Sequence, residues 1–327
     1  MDLSNETMLE MLWTMLLSRR TDERAWTLHR QGKIAFHISA IGHEAAQIGA
    51  AYALRRGEDW VAPYYRDLSL MLAMGMTPLE FALGLMGKRD EPNSGGRQMP
   101  SHWSLKRAKV ISHSSPVATQ APHAAGIGLA IKLRGEDRVV LTTIGEGSTS
   151  QGEWYEAVNF SAIHQLPVIF LVQNNMYAIS ERQDRQMAVK SVAEKACGLG
   201  VTGVSVDGTD VFAVYQTVRE AVDRARGGGG ASVVEARVYR ITPHSSDDDD
   251  RTYRSREEVE EYKKQDPLLV AKTALEKEGI LTDEAYQQLD ERARKMVEEA
   301  VRDAEEAPLP EPEEALHPVY AEEVVHA

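Results

Sequence analysis

Apolar positions at the start of the chain fall at helical spacing. Across 7–30, Met8, Met11, Leu12, Met15, Leu16 and Leu17 share one face, which predicts an amphipathic helix. The Ala-rich segment 44–55, stopping before Gly57, predicts a second helix, and 77–86, with Pro78 in its first turn, a third. Residues 91–97 (EPNSGGR) then have loop chemistry throughout. Beyond them the pattern alternates. Residues 138–144 (RVVLTTI) are a short β-branched run, and 167–172 (PVIFLV) are continuously apolar, as a strand buried on both faces reads. Between them, 153–164 carries helical spacing in Trp154, Ala157, Val158 and Ser161. A strand at 204–206, a helix at 211–226 and a strand at 232–239 continue the series, with glycines 227–230 as the last turn.

Strands alternating with helices predict an α/β fold: a doubly wound, mostly parallel sheet with helices on both faces, preceded by N-terminal helices. After Ile241 the character changes. Residues 245–255 (SSDDDDRTYRS) read as a polar loop, and the acids Asp247 to Asp250 as solvated rather than as a metal cage. Residues 257–306 are helical and heavily charged, broken at Leu281 and Thr282, and 308–327 is a Pro- and Glu-rich extension. The expected organisation is an α/β domain over 1–260 and a helical C-terminal extension and tail over 261–327.

Composition narrows the function classes. Hydrophobic residues at 43% and charged residues at 27% are those of a soluble globular protein, and a formal charge of −13 argues against nucleic acid. The single cysteine, Cys197, has no partner for an intrachain disulfide, which suits a reducing compartment. The longest uncharged stretch, 110–131, holds Ser112, His113, Ser114, Ser115, Thr119, Gln120 and His123. That is too polar for hydrocarbon, so it is expected as buried protein and as wall of a site. No membrane span and, with acids but no basic leader over 1–6, a cytoplasmic location are expected.

The richest segment is 144–180. Gly145-Glu146-Gly147 sits at the C-terminal end of one predicted strand and Asn174-Asn175 at the end of the next. In a doubly wound sheet both ends open on one crevice, where ligands bind. A carboxylate, an amide oxygen and a backbone carbonyl beyond the asparagines are hard ligands suited to Mg²⁺ that also holds a diphosphate. The flanking glycines let backbone amides approach phosphate.

These residues resemble the thiamine-diphosphate motif, a Gly-acid-Gly triplet followed by Asn-Asn. The chain as a whole resembles the alpha subunit of the decarboxylase component of 2-oxo acid dehydrogenase complexes. PYYRD (63–67), GGRQMPSHW (95–103), SHSSPVATQ (112–120) and RVYRITPHSSDDDDRTYRSREEV (237–259) carry the likeness in the family's order, covering 42–259. Glu146 in place of the usual Asp, with GRQMP and SSPVATQ, resembles the branched-chain subfamily; pyruvate or acetoin enzymes are the near alternative. Gln173 departs from branched-chain relatives that place an arginine near the diphosphate, and no role is assigned to it.

The resemblance implies thiamine diphosphate and Mg²⁺ as cofactors, with Glu146, Asn175 and the Tyr177 carbonyl on the metal. Gly145 and Gly147 flank it. Tyr65 and Arg66 would bind diphosphate, Arg66 against the plainer reading of a surface ion pair with Asp67, and Arg240 would add a phosphate contact. His244 would be the active-site histidine, bonding the diphosphate or the bound intermediate and aiding acyl transfer. Ser115 and Val117 would line the thiamine pocket. Ser114, Pro116, Thr119 and Gln120 match a K⁺ site, though Ser and Thr also make local turns. His37 is either pocket wall or a structural histidine. The glutamate that activates the aminopyrimidine is missing: no second α/β domain follows, and Glu44 does not match its position. The chain is thus expected to be half an enzyme, with a beta subunit in a heterotetramer of two alpha and two beta chains. The lipoyl domain of an acyltransferase and a small 2-oxo acid complete its partners. The small-residue face of Ala118, Ala121, Ala124, Ala125, Gly126 and Gly128 serves either that contact or the chain's own core. A non-catalytic α/β binding module would keep the sheet pattern, but it has no need of Glu146, Asn175, Arg66 and His244 together.

Overall fold

The computed structural model describes residues 3–316; the end of the expected tail, 317–327, lies outside the described residues. The chain opens with α1 (Asn5–Arg30) and α2 (Glu44–Tyr52), then β1 (Trp60–Ala62), α3 (Leu68–Ala73) and α4 (Pro78–Leu85). The Thr-Pro-Leu-Glu sequence at 77–80 starts α4 on a capping box, Thr77 and Glu80 each bonding the other's backbone amide. The centre is α5 (Gln120–Arg134), β2 (Val140–Gly145), α6 (Gly152–Ile163) and β3 (Val168–Asn174). A small hairpin of β4 (Tyr177–Ala178) and β5 (Glu181–Arg182) follows, then α7 (Gln183–Gln186) and α8 (Val192–Gly198). β6 (Thr202–Asp207), α9 (Val211–Arg226) and β7 (Ser232–Arg237) complete the sheet, and α10 (Arg256–Lys263), α11 (Pro267–Lys277) and α12 (Asp283–Glu306) close the chain.

The five main strands run parallel in the order β1–β2–β3–β7–β6, with helices on both faces, which is the expected α/β architecture. β3 is buried along its whole length because it serves two cores. Val168, Phe170 and Val172 join Trp154 and Val158 of α6 and Ala124 of α5. Ile169 and Leu171 face the other way, toward the core shared by Ile48 of α2 and Val214 and Val218 of α9. Helices therefore cover both faces, and the small-residue face packs inside the chain at Ala118, Ala121, Ala124, Ala125 and Gly128, where a Cβ on Gly128 would meet Val168 Cγ2 at 2.7 Å, whereas Gly126 is exposed.

Several short elements lacked a legible period. The α3 sequence LSLMLA is buried on every side, so it shows no amphipathic spacing, and β1 spans only three residues, placed by parallel pairing with β2. The charged C-terminal segment breaks at Leu281–Thr282 as expected, Thr282 capping α12. It breaks a second time at Asp266-Pro267, where Asp266 caps α11. Leu268, Leu275, Val297 and Val301 of these last helices enter the same core as Met11, Leu12 and Met15 of α1. Among the described residues no helix is long and apolar enough to cross a membrane.

α2 crosses α9 closely enough that a Cβ on Gly49 would lie 2.6 Å from the Val211 carbonyl oxygen and 2.9 Å from Val214 Cβ. Gly49→Ala is therefore expected to destabilise the fold by about 1–3 kcal/mol, as overpacking does. Chemical denaturation of the purified protein checks this; an unchanged midpoint would show that the two helices separate without cost.

Candidate cofactor site

Parallel pairing of β2 with β3 puts Gly145 beside Gln173, so Glu146 and Asn175 emerge together at one edge of the sheet. Glu146 is 1% exposed; its Oε2 accepts from the Asn175 amide at 3.1 Å and its Oε1 from Gln186 Nε2 at 3.3 Å. Asn175 Oδ1 accepts from the Tyr177 amide at 3.3 Å. The backbone turns abruptly here, Met176 and Ile179 taking φ of 75° and 55°, and brings β4 back over the triplet. That gives the two glycines different reasons. A Cβ on Gly147 would strike Ala178 Cβ at 2.5 Å, whereas one on Gly145 meets nothing nearer than Tyr64 Cε2 at 4.0 Å. Gly147 makes room for the chain itself, and Gly145 leaves open space.

That space is a cavity of about 210 Å³ lined by Tyr64, Tyr65, Arg66, Val117, Glu146, Asn175, Tyr177, Arg240 and His244 among others. Its charge is lopsided. Arg66 and Arg240 are 1% and 0% exposed, yet neither is ion-paired among the described residues. Arg66 donates to the Ser39 carbonyl at 2.5 Å and to the His244 carbonyl and Nδ1 at 3.1 and 3.2 Å. Arg240 donates to the carbonyls of Tyr177 and Ile179 at 3.3 and 2.6 Å and to the Tyr253 hydroxyl at 2.9 Å, while its Nε is buried without a partner. Two guanidiniums thus face one carboxylate. A buried cation without a counter-charge is costly, so the cavity is built for an anion. Burial pushes the Glu146 carboxyl up, against the pull of Arg240 and Arg66, which a cation on its oxygens would reinforce. Among the described residues no three His, Cys, Asp or Glu side chains cluster to hold a metal. One carboxylate, one amide oxygen and one carbonyl therefore fit a metal whose shell is completed by a bound anion, as Mg²⁺ with a diphosphate is.

His244 follows β7 and reaches the cavity through its contact with Arg66, its amide donating to Asp248 Oδ2 at 2.8 Å. Burial, then Arg66 and Arg240, push its imidazole down to about 3. Since Arg66 donates to Nδ1, the ring proton sits on Nε2. The neighbouring acids do point different ways. Asp248 also accepts from the Tyr253 hydroxyl, Asp249 pairs with Arg251 at 2.6 Å, and Asp250, buried rather than solvated, pairs with Arg254 at 2.6 Å.

Other expected residues separate. Val117 lines the cavity, whereas Ser115 is exposed outside it, its hydroxyl 2.5 Å from His102 Nε2. Ser114 Oγ lies 3.1 Å from Thr119 Oγ1, which donates to the Pro116 carbonyl at 3.0 Å; Gln120 Oε1 is buried without a partner. His37 is a structural histidine: it is fully buried on Asp22 at 2.9 Å and does not line the cavity. Glu44 is locked by Arg19 at 2.6 Å.

Two features were illegible. Asp67 does not pair with Arg66; it turns inward to Thr143 Oγ1, Gln173 Nε2 and the Tyr64 amide, and burial pushes it up to about 7. Gln173 is the centre of that network, also accepting from Gln47 Nε2 at 2.9 Å, which in turn donates to the Arg66 carbonyl. His43 lies 3.2 Å from Asn175 Nδ2, and burial, then Arg66 and Arg240, push it well below its usual range. A polar residue inside an apolar strand, as Gln173 is, was the available signal for the network; nothing marked His43.

The chain belongs to the dehydrogenase E1 component family, whose model matches residues 13–313, and so to the thiamine-diphosphate-dependent 2-oxo acid dehydrogenases. It is 50% identical over 98% of its length to the 2-oxoisovalerate dehydrogenase subunit alpha of Bacillus subtilis, spanning 97% of that protein. It is 38% identical to the 3-methyl-2-oxobutanoate dehydrogenase subunit alpha of Mycobacterium tuberculosis, over 98% of this chain and 84% of the other. Against the pyruvate dehydrogenase E1 component subunit alpha of Staphylococcus aureus the identity is 36%, over 93% and 80%.

His244 titrates low because it is buried and because two guanidiniums lie beside it, so neutralising the guanidiniums must raise it part of the way. The unfolded chain binds a proton in the ordinary histidine range and the folded His244 does not, so its contribution to stability falls as pH drops from about 6.5 toward 3. Inorganic pyrophosphate is expected to move its pKa upward, measured by NMR of labelled histidine. An unmoved resonance would mean that anions do not enter between Arg66 and Arg240.

Proposed function

We propose that this chain anchors thiamine diphosphate and Mg²⁺ as the alpha subunit of a branched-chain 2-oxo acid dehydrogenase. The observation that carries the reading is the cavity with two buried guanidiniums, neither ion-paired among the described residues, beside one buried carboxylate. Arg66 and Arg240 would hold the diphosphate, the forked guanidinium matching phosphate oxygens. Glu146, Asn175 and the Tyr177 carbonyl would ligate Mg²⁺, with Gly145 leaving room for phosphate. Tyr65 and Val117 would shape the pocket wall. When bound, thiamine diphosphate supplies the electron sink for decarboxylation of the 2-oxo acid. His244, with its proton on Nε2, would donate a hydrogen bond into the cavity and assist acyl transfer to the lipoyl domain of the acyltransferase. The Gln120 oxygen, buried without a partner among the described residues, supports K⁺ at the start of α5, with Ser114, Pro116 and Thr119 as its other ligands.

Among the described residues the cavity wall offers a single carboxylate, Glu146, and Glu44 is occupied by Arg19. Neither is free to activate an aminopyrimidine, so the acid would come from a beta subunit, in a heterotetramer of two alpha and two beta chains. The higher identity to the 2-oxoisovalerate protein than to the pyruvate protein supports a branched-chain substrate. Purified alone, the chain should show no decarboxylation of any 2-oxo acid even with excess thiamine diphosphate and Mg²⁺. With its beta subunit it should turn over branched-chain 2-oxo acids in preference to pyruvate. Light scattering coupled to a decarboxylation assay reads both; robust turnover by the lone chain would sink the half-enzyme reading.

Glu146→Gln should abolish Mg²⁺-dependent cofactor binding without unfolding the chain, since a neutral amide replaces the anionic ligand poorly. Calorimetry with the reconstituted complex checks this, and wild-type affinity would remove Glu146 from the metal.

A further inference from the structure

Asn175 meets the candidate metal site through a side chain that has two nearly equal ends. Its Oδ1 suits a cation and its Nδ2 repels one, and a half-turn of the amide exchanges them. The backbone does little to choose, since the Tyr177 amide reaches Oδ1 at only 3.3 Å. The choice is made on the other side, where His43 Nε2 stands 3.2 Å from Asn175 Nδ2. Both side chains are buried, at 0% and 5% exposure, so water offers no alternative partner. Nδ2 can only donate, so this contact makes Nε2 its acceptor, and a ring-nitrogen lone pair offers nothing to Oδ1.

We propose that His43 is a positioning residue for the metal site, accepting from Asn175 Nδ2 so that the amide oxygen is held on the side of Glu146 and Tyr177. The inference rests on the reading of Glu146, Asn175 and Tyr177 as Mg²⁺ ligands. His43 is itself fixed from outside the cavity. Its amide donates to the Ala40 carbonyl at 2.9 Å, and the next residue, Glu44, accepts from the Gly42 amide at 2.8 Å and from Arg19 Nε at 2.6 Å. Arg19 in turn grips Asp266 at 2.8 and 3.0 Å, the cap of α11. On the far side, Gly42 sits so close to the Tyr239 carbonyl that a Cβ would lie 2.1 Å from it. The C-terminal helices thereby reach Asn175 through the side chains of Asp266, Arg19 and Glu44, the backbone that joins Glu44 to His43, and the His43 ring.

The test uses the complex reconstituted with its beta subunit. His43→Met removes the acceptor at similar size, and His43→Gln restores one through its amide oxygen. His43→Met should raise the Mg²⁺ concentration that half-saturates thiamine diphosphate binding by about 10–100-fold, the usual cost of losing an outer-shell partner. His43→Gln should return it most of the way. Metal-free pyrophosphate binding, which depends on Arg66 and Arg240, should be unchanged in both, a split that general damage to the cavity would not produce. Wild-type Mg²⁺ dependence in His43→Met, while Glu146→Gln has lost it, overturns the role of His43 and leaves the metal reading intact. Wild-type dependence in both variants overturns the metal reading itself. Loss of pyrophosphate binding in His43→Met, with no rescue by Gln, makes His43 merely structural and also overturns the proposal.

Discussion

Everything around the cavity answers to the burial of two guanidiniums, Arg66 and Arg240, in a protein interior with one nearby carboxylate. Desolvating each costs several kcal/mol, and carbonyl oxygens offset only part of it. Backbone supplies most of those oxygens, as Ser39, Tyr177, Ile179 and His244 all turn carbonyls toward these side chains. The sharp turns at 176–179 and the loop after β7 carry three of those carbonyls. Burial, reinforced by the same charges, pushes the His244 and His43 imidazoles down, and those charges set the anion preference of the cavity.

Behind the guanidiniums lies a second layer of buried polar groups that couples the strand ends. Gln120 donates to the Thr143 carbonyl, Thr143 donates to Asp67, Gln173 bridges Asp67 and Gln47, and Gln47 reaches the Arg66 carbonyl. This line runs from the 114–120 loop across β2 and β3 to the arginine that faces the cavity. Trp103 adds to it by donating its indole N–H to the Tyr64 carbonyl at 2.9 Å. Apart from the unpartnered Gln120 Oε1, its groups are hydrogen-bonded, and such networks hold a unique geometry where an apolar core tolerates slippage.

Much of the architecture was legible in advance because its signals are local. β3 announces itself by a continuous apolar run, α4 by Pro78 in its first turn, and the two halves of the candidate metal site by glycine and asparagine at strand ends. Elements buried on all sides, such as α3, or defined by a partner, such as β1, leave no period to read. The Asp67 side chain illustrates the same limit at the site. Beside Arg66 in sequence it suggests an ion pair, but the neighbour that captures it is Gln173, 106 positions later.

The sequence by itself determined the fold class, a single run of strand–helix alternation read from periodicity and order, and its resemblance to a known family nominated the candidate metal and diphosphate ligands as a set. Tertiary structure alone decided which polar groups oppose which. It put His43 on Asn175, Glu44 on Arg19, Asp266 on Arg19 and Gln173 at the hub behind Arg66, and it left Ser115 outside the cavity. Hydrogen bonds and ion pairs act over about 3 Å, and only the pairing of distant strands and helices brings such residues that close.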